Sequence, residues 1–259
     1  MRKKAYQNYI FDLYGTLIDI HTDETKAEFW KKMADIYACY GAVYTPSGLR
    51  ETYLRFCAEE EAKLREESGN PDPEITLDAV FLRLLAEADP RPEELPMDLP
   101  FWTFSIASTF RVLSRERFEL YPTVKTTLNS LRKKGKRLFL LTNAQEIFTR
   151  TELAVLGLED YFEDIRISSV EGIKKPQPEF LESLLRDYDL DRSRTVMVGN
   201  DISSDIKIAD SCGIDSIFIN TDGFNKGSVS GQMMVFGMEN RDRIRFCYTG
   251  ELAELLTKG

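Results

Sequence analysis

Short apolar runs alternate with helix-like stretches along the second half of the chain. The runs are Leu138–Leu141, Ile165–Ser168, Thr195–Val198 and Ser216–Ile219, and a similar run, Tyr9–Phe11, lies near the start. Residues 124–134 precede the first of the later runs, and 146–156, 179–188 and 203–212 lie between those runs. All four segments have helical spacing. Alternation of this kind indicates right-handed crossovers between parallel strands. The pattern predicts an α/β fold, a Rossmann-like doubly wound parallel sheet with helices on both faces.

A different pattern fills the region between the first two apolar runs. Apolar residues recur there at helical spacing, as in Phe29, Trp30 and Met33, and no strand with alternating polarity interrupts them. Turn-rich segments at 69–73 and 89–92 divide the region into about four helices. We expect an inserted helical cap domain at 20–118 and a core domain formed by 1–19 and 119–259.

The C-terminal segment gives a weaker signal. Residues 223–231 contain several glycines and predict a loop, 244–248 predict a closing strand, and 251–256 predict a terminal helix.

Composition narrows the classes of function. The net charge of −9 disfavours binding to a nucleic-acid backbone. His21 is the only histidine and the four cysteines form no CxxC pair, so a histidine-based catalytic triad, a zinc site and a disulfide framework are all disfavoured. We predict a cytoplasmic protein without signal peptide or membrane span, because no long apolar run precedes Asp12.

Polar residues follow four of the apolar runs. They are Asp12 with Gly15 and Thr16, Thr142 with Asn143, Lys175, and Asp201 with Asp205. If the strands are parallel, these residues meet at one edge of the sheet. Each signal alone is also typical of a turn, a helix cap or a solvated lysine.

The gathered residues are chemically complementary. A strand-end carboxylate such as Asp12 is a candidate nucleophile, and Lys175 is a candidate for neutralising charge. The hydroxyl and amide of Thr142 and Asn143 can bind an anionic group. Asp201 and Asp205 provide oxygen ligands suited to Mg²⁺.

Together these residues resemble the four motifs of the haloacid dehalogenase superfamily. The matching segments are 10–17, 141–143, 175–178 and 198–205. The resemblance implies an aspartyl intermediate on Asp12, with Lys175 and Thr142 as further catalytic residues. It implies substrate contacts from Tyr14, Gly15, Thr16, Thr142, Asn143 and Lys175. It also implies Mg²⁺ bound by Asp12, the Tyr14 carbonyl and Asp201, with Asp205 at or near the metal.

Two positions depart from the phosphatase pattern of that family. Tyr14 stands where phosphatases carry a second aspartate that acts as general acid and base, and this form is similar to 2-haloacid dehalogenases. The acidic fourth motif instead resembles metal-dependent phosphatases. Its register is open, because either Asn200 or Asp201 can be aligned with the ligand position.

We therefore predict a Mg²⁺-dependent hydrolase acting on a small phosphorylated metabolite. The alternatives are a metal-independent 2-haloacid dehalogenase and a weakly catalytic binding or regulatory protein. Partners other than a small-molecule substrate are not predicted, and the oligomeric state is left open.

Overall fold

The computed structural model describes residues 5–238 and 242–257, which form two compact units. The core unit comprises residues 5–20, Phe118–Asn143 and the described part of Leu153–Gly259. The helical unit comprises His21–Arg117 and Ala144–Glu152. In the described residues, no helix is long and apolar enough to cross a membrane.

A six-stranded sheet forms the centre of the core unit. Its strands are β1 (Asn8–Phe11), β4 (Arg137–Thr142), β5 (Asp164–Ile167), β6 (Thr195–Gly199), β7 (Asp215–Ile219) and β8 (Ile244–Cys247). They lie in the order β5-β4-β1-β6-β7-β8, and every adjacent pair is parallel. The fold is the predicted Rossmann-like α/β fold.

The central strands are apolar throughout because both faces of the sheet are covered. Along β1, Tyr9 and Phe11 join one buried apolar cluster, whereas Ile10 joins the cluster on the other face. The same alternation divides β4, where Leu140 and Phe139 belong to different clusters. Successive strand side chains point to opposite faces, so a continuous apolar run supplies both halves of the core.

Helices and short helical turns connect the strands of the core unit. The α-helices are α5 (Val124–Lys133), α7 (Ser168–Glu171), α8 (Pro178–Asp187), α9 (Lys207–Ser211), α10 (Lys226–Val235) and α11 (Glu254–Thr257). Turns of 3₁₀-helix lie at Glu159–Tyr161 and Arg192–Arg194, and a π-helical turn spans Ile202–Ile206.

The loop predicted at 223–231 is wrong, because α10 occupies most of it. The Asn225 side chain accepts a hydrogen bond from the Ser228 amide at the start of the helix. Val229 and Met233 are buried on its inner side. Gly227 and Gly231 weaken the helical signal in the sequence, and tertiary burial overrides that low propensity.

Four helices make up most of the helical unit: α1 (Ala27–Ala38), α2 (Pro46–Ser68), α3 (Leu77–Ala86) and α4 (Leu99–Ser114). Their buried faces form one aromatic-rich cluster that includes Phe29, Trp30, Phe81 and Phe110. The ring centroids of Phe29 and Phe110 are 4.9 Å apart with an edge-to-face geometry, which is the preferred arrangement of aromatic pairs.

Helix α6 (Glu146–Leu156) changes the expected unit boundary. Residues 144–152 were assigned to the core domain, but the structure groups them with the helical unit. Phe148 packs in the aromatic cluster, and the Gln145 side chain accepts a hydrogen bond from the Leu77 amide. Buried Glu152 pairs with Arg111 at 2.8 Å. The sequence shows that α6 is helical but not which core its apolar face contacts.

A two-stranded sheet, β2 (Ile18–Thr22) with β3 (Arg115–Leu120), was not predicted. The β3 sequence Arg-Glu-Arg-Phe-Glu-Leu has few apolar residues, and its charged residues are equally typical of a helix surface.

Candidate active site

The predicted site residues of the core unit follow three neighbouring central strands. Asp12 comes directly after β1, and its backbone amide donates to the Val198 carbonyl of β6 at 2.9 Å. Thr142 is the last residue of β4, and Gly199 is the last residue of β6. Because β4, β1 and β6 are adjacent and parallel, their carboxyl ends meet at one edge of the sheet.

Lys175 connects two carboxylates at this edge. Its Nζ lies 2.6 Å from Asp12 Oδ1 and 2.7 Å from Asp205 Oδ1, and it also donates to the Leu141 carbonyl at 2.9 Å. The side chains of Lys175 and Asp205 are each 1% exposed, and that of Asp12 is 9% exposed. All three donors of the ammonium group are therefore used inside the protein.

Asn143 fixes the backbone that carries this lysine. Asn143 Oδ1 accepts from the Lys175 amide at 2.8 Å, and Asn143 Nδ2 donates to the Lys175 carbonyl at 2.9 Å. The two predicted site residues thus form a reciprocal pair across 32 residues of sequence.

Burial and neighbouring charges shift the pKa values of Lys175 and Asp205. Burial lowers the pKa of Lys175, but the nearby charges of Asp12 and Asp205 outweigh it and raise the pKa above its ordinary value. Burial and the charge of Asp12 raise the pKa of Asp205 to about 7. With both carboxylates ionised, the group carries one net negative charge.

The loop after Asp12 is held in a tight turn. The Thr16 hydroxyl donates to Asp12 Oδ2 at 3.0 Å, and the Gly15 amide donates to the Ile18 carbonyl at 2.8 Å. Gly15 has φ +80°, and a Cβ atom there would lie 2.4 Å from Nδ2 of Asn200. Glycine is required at this position both for its positive φ and for the close approach of Asn200.

The side chain of Tyr14 has apolar contacts. It is half-buried and packs against the apolar cluster that contains Phe11 and Leu13.

The two aspartates of the fourth motif have different surroundings. Asp205 Oδ2 accepts from the Asp201 amide at 3.0 Å, so both of its oxygens have partners. A Cβ at Gly199 would lie 2.1 Å from Asp205 Oδ2, which explains the glycine. Asp201 is exposed, and its Oδ1 accepts from the amide and hydroxyl of Ser203 at 2.7 Å each.

The two residues that could align with the ligand position of this motif have different contacts. The Asn200 side chain lies against Gly15, with its Oδ1 3.2 Å from the Thr16 hydroxyl, whereas the Asp201 carboxylate caps the following turn. The π-helical turn that begins at Ile202 contains an extra residue relative to an α-helical turn, and such turns are frequent at functional sites.

Oxygen donors for a cation are present but sparse. Residues 5–238 and 242–257 hold no group of three or more histidine, cysteine, aspartate or glutamate side chains that could bind a metal ion. Asp12, the Tyr14 carbonyl and Asp201 include only two carboxylates, which suits a cation such as Mg²⁺ that keeps several waters. Asp205 fits such a cation less well, because its side chain is only 1% exposed, compared with 9% for Asp12.

Thr142 has an unpaired hydroxyl at the same edge. The residue is fully buried, and its Oγ1 has no hydrogen-bond partner. A buried polar atom without a partner costs about 1–3 kcal/mol, and a ligand oxygen that accepts from this hydroxyl would offset that cost.

The sequence analysis missed residues that follow β7. The Thr221 hydroxyl donates to the Gly15 carbonyl at 2.6 Å, and Asn200 Nδ2 donates to Asp222 Oδ2 at 3.3 Å. Both residues follow the run 216–219, so the rule that located the other candidates at strand ends also locates them.

Comparison with known proteins gives a family match to this chain. The sequence model of one hydrolase family, the haloacid dehalogenase-like hydrolases, matches residues 6–213. These residues contain all of the predicted site residues.

Individual relatives include phosphatases and a dehalogenase. Phosphoglycolate phosphatase of Vibrio cholerae is 31% identical over 225 residues, covering 86% of this chain and 88% of that protein. Glyceraldehyde 3-phosphate phosphatase of Pyrococcus abyssi is 27% identical over 47% of this chain, and this chain spans about half (52%) of its length. The crystal structure of 2-haloacid dehalogenase from Pseudomonas syringae pv. tomato has a TM-score of 0.61 and 23% identity, covering 98% of this chain and 99% of that one.

Proposed function

This chain belongs to the haloacid dehalogenase-like hydrolases, and we propose that it hydrolyses a small phosphorylated metabolite with Asp12 as its nucleophile. The phosphatase names of its curated relatives support phosphate as the group transferred. Their different substrates support only a small phosphorylated metabolite as the substrate class.

The contact between Lys175 and Asp12 is the observation that carries the proposal. A buried ammonium group 2.6 Å from Asp12 Oδ1 places a positive charge beside the carboxylate and fixes its direction. An Asp12 oxygen would attack phosphorus, forming an acyl phosphate as the bond from phosphorus to the leaving oxygen breaks. Water would then cleave the acyl phosphate, releasing inorganic phosphate and restoring the carboxylate.

Residues beside Asp12 would bind the transferred group. The unpaired Thr142 hydroxyl can donate to a phosphoryl oxygen, and this would satisfy the buried atom. Exposed Asn143 and the turn at Gly15 and Thr16 lie next to the nucleophile along the same edge. Donors fixed in advance stabilise charge that develops in the transition state.

We further propose that Mg²⁺ binds at Asp12, the Tyr14 carbonyl and Asp201, while Asp205 balances Lys175. Asp12, Lys175 and Asp205 carry one net negative charge when ionised, which opposes an anionic substrate. A bound divalent cation supplies the positive charge that phosphate binding requires.

The packing of Tyr14 affects the choice of substrate. Position 14 holds a tyrosine, whose side chain contacts the apolar cluster. No aspartate is therefore present at this position to protonate the leaving oxygen. The absence of a general acid typically costs ~10²–10⁴-fold in rate. We therefore expect faster turnover of esters with acidic leaving groups, such as p-nitrophenyl phosphate, than of alkyl phosphates.

A substrate panel tests this function. Release of inorganic phosphate from p-nitrophenyl phosphate, phosphoglycolate and glyceraldehyde 3-phosphate should require Mg²⁺ and be lost with EDTA. Asp12→Asn should abolish turnover because an amide is not a nucleophile here. Phosphate release that persists in Asp12→Asn would exclude Asp12 as the nucleophile.

Haloacid dehalogenation is the second candidate, and the position of Tyr14 favours it. Halide leaves without a proton, so the reaction does not need the missing acid. This candidate predicts halide release from 2-chloropropionate in the presence of EDTA. Stabilisation by ligands without turnover of either substrate class would instead indicate a binding or regulatory protein.

We also propose a cytoplasmic location and no nucleic-acid partner. No disulfide joins Cys39, Cys57, Cys212 and Cys247, which is compatible with a reducing compartment, and the net charge is −9. Cell fractionation with an antibody to the native protein tests the location.

A further inference from the structure

The segment after β7, residues 220–224, is rigid independently of the site. The Asn220 amide donates to the Cys247 carbonyl of β8 at 3.0 Å. The Asn220 side chain closes the loop, because its Nδ2 donates to the Phe224 carbonyl and its Oδ1 accepts from the Phe224 amide, each at 2.9 Å. Asn220 is 5% exposed, so these bonds are shielded from water. Thr221 is thus attached to a fixed support.

The hydroxyl of Thr221 holds one particular peptide group. It donates to the Gly15 carbonyl at 2.6 Å, and this carbonyl shares a planar peptide with the Thr16 amide. The Thr16 amide has only a long bond, 3.3 Å, to the Leu13 carbonyl. The bond from Thr221 is therefore the shorter of the two that orient this peptide.

The orientation of that peptide reaches the nucleophile through one further residue. Thr16 donates its hydroxyl to Asp12 Oδ2 at 3.0 Å, while Lys175 holds the other oxygen. If the Gly15–Thr16 peptide rotates, the Thr16 hydroxyl moves and Asp12 loses its second constraint. A carboxylate held at only one oxygen can rotate about its Cβ–Cγ bond.

We propose that Thr221 is a positioning residue that sets the angle of the Asp12 carboxylate through Gly15 and Thr16. The inference rests on the proposed function for its kinetic consequence, but the geometric part stands without it. Thr221 does not itself contact Asp12. Loss of the Thr221 hydroxyl should therefore reduce kcat more than it changes KM, because kcat depends on the orientation of the nucleophilic carboxylate.

Thr221→Val tests this role, since valine keeps the shape of threonine and removes the donor. We expect kcat for p-nitrophenyl phosphate to fall ~10-fold or more, with KM within about twofold, because small misplacements of reacting groups reduce rates strongly. Thr221→Ser should restore most of the rate because it restores the hydroxyl. Thr109→Val is the matched control: that half-buried hydroxyl also donates to a carbonyl, at 2.8 Å, but in α4 of the helical unit.

Hydrogen exchange gives a readout that does not depend on turnover. The amides of Gly15, Thr16 and Leu17 are bonded within the loop, so a peptide covering residues 12–18 should exchange faster in Thr221→Val but not in Thr109→Val. Unchanged exchange in that peptide would overturn the proposal, even if the wild-type protein hydrolyses none of the phosphate esters.

With an active wild type, three kinetic results would also overturn it. These are a kcat of Thr221→Val within twofold of wild type, an equal fall in Thr109→Val, or failure of Thr221→Ser to recover activity. Absence of phosphate release by the wild type, combined with the expected exchange difference, would reject the proposed function and leave the positioning role supported.

Discussion

Replacing Lys175 by methionine should be among the most destabilising single changes in the core unit. The variant keeps an unbranched side chain that fills the space but removes the positive charge between Asp12 and Asp205. Those carboxylate side chains are 9% and 1% exposed, so water cannot take over the role of the ammonium group. Removing one partner of a buried ion pair costs about 3–5 kcal/mol, and here two carboxylates lose their partner at once.

A loss of that size is a large part of the ~5–15 kcal/mol that stabilises a typical protein. Urea unfolding at neutral pH in EDTA, followed by far-UV circular dichroism, should measure it. Tryptophan fluorescence should be recorded separately, because Trp30 and Trp102, the two tryptophans, both lie in the helical unit.

Lys134→Met is the matched control, since it removes the same charge from an exposed side chain of the core unit. It should change stability by no more than about 0.5 kcal/mol, as is usual away from buried networks. Adding Asp205→Asn to Lys175→Met should recover part of the loss by removing one buried carboxylate. A loss below about 1 kcal/mol for Lys175→Met, equal to the control, would refute the buried charge arrangement.

Four further outcomes follow from the structure. Asp205, with a pKa raised to about 7, favours folding most while its carboxyl is protonated. The free energy of unfolding should therefore fall as pH rises from about 4 to 7, by up to ~1.4 kcal/mol per pH unit. Urea titrations in EDTA should show this fall in the wild type and not in Asp205→Asn. Tyr14→Asp should increase turnover of alkyl phosphates relative to p-nitrophenyl phosphate, in the direction of the ~10²-fold that a general acid provides, and an unchanged ratio would argue against a missing acid. Gly15→Ala should destabilise the protein by roughly 1–3 kcal/mol and more than Gly135→Ala, which has a similar positive φ but no atom near its Cβ position. Phe110→Ala should cost about 3–5 kcal/mol in the fluorescence-detected transition, because this ring is fully buried in the aromatic cluster; a cost below 1 kcal/mol would contradict that packing.

The sequence predicted the sheet because burial on two faces leaves a strong pattern. The runs at 138–141 and 195–198 are apolar at every position or nearly so, and each became a strand within one or two residues of its predicted limits. The strand β3 has no such pattern, because its exposed charged residues are as typical of a helix surface or a loop as of a strand. The helix α10 was missed since its glycines lower local propensity, while burial of Val229 and Met233 depends on distant residues.

The site was predictable to the extent that strand ends position it. Asp12, Thr142, Lys175 and Asp205 could all be proposed from their place after apolar runs, and the structure brings Lys175 into contact with both aspartates. The position of a residue at a strand end does not determine the direction of its side chain. Tyr14 packs against the apolar cluster, which spacing alone does not reveal.

The π-helical turn at Ile202–Ile206 has a consequence for sequence alignment of this chain. Counting forward from Gly199 assigns Asn200 to the ligand position that the motif resemblance implies, whereas counting back from Asp205 assigns Asp201. The two counts diverge inside the turn, because its extra residue shifts the helical phase by about 100° relative to an α-helix. Alignment with a relative whose turn is α-helical therefore needs a gap here, and mutational data transferred without that gap would describe the wrong residue.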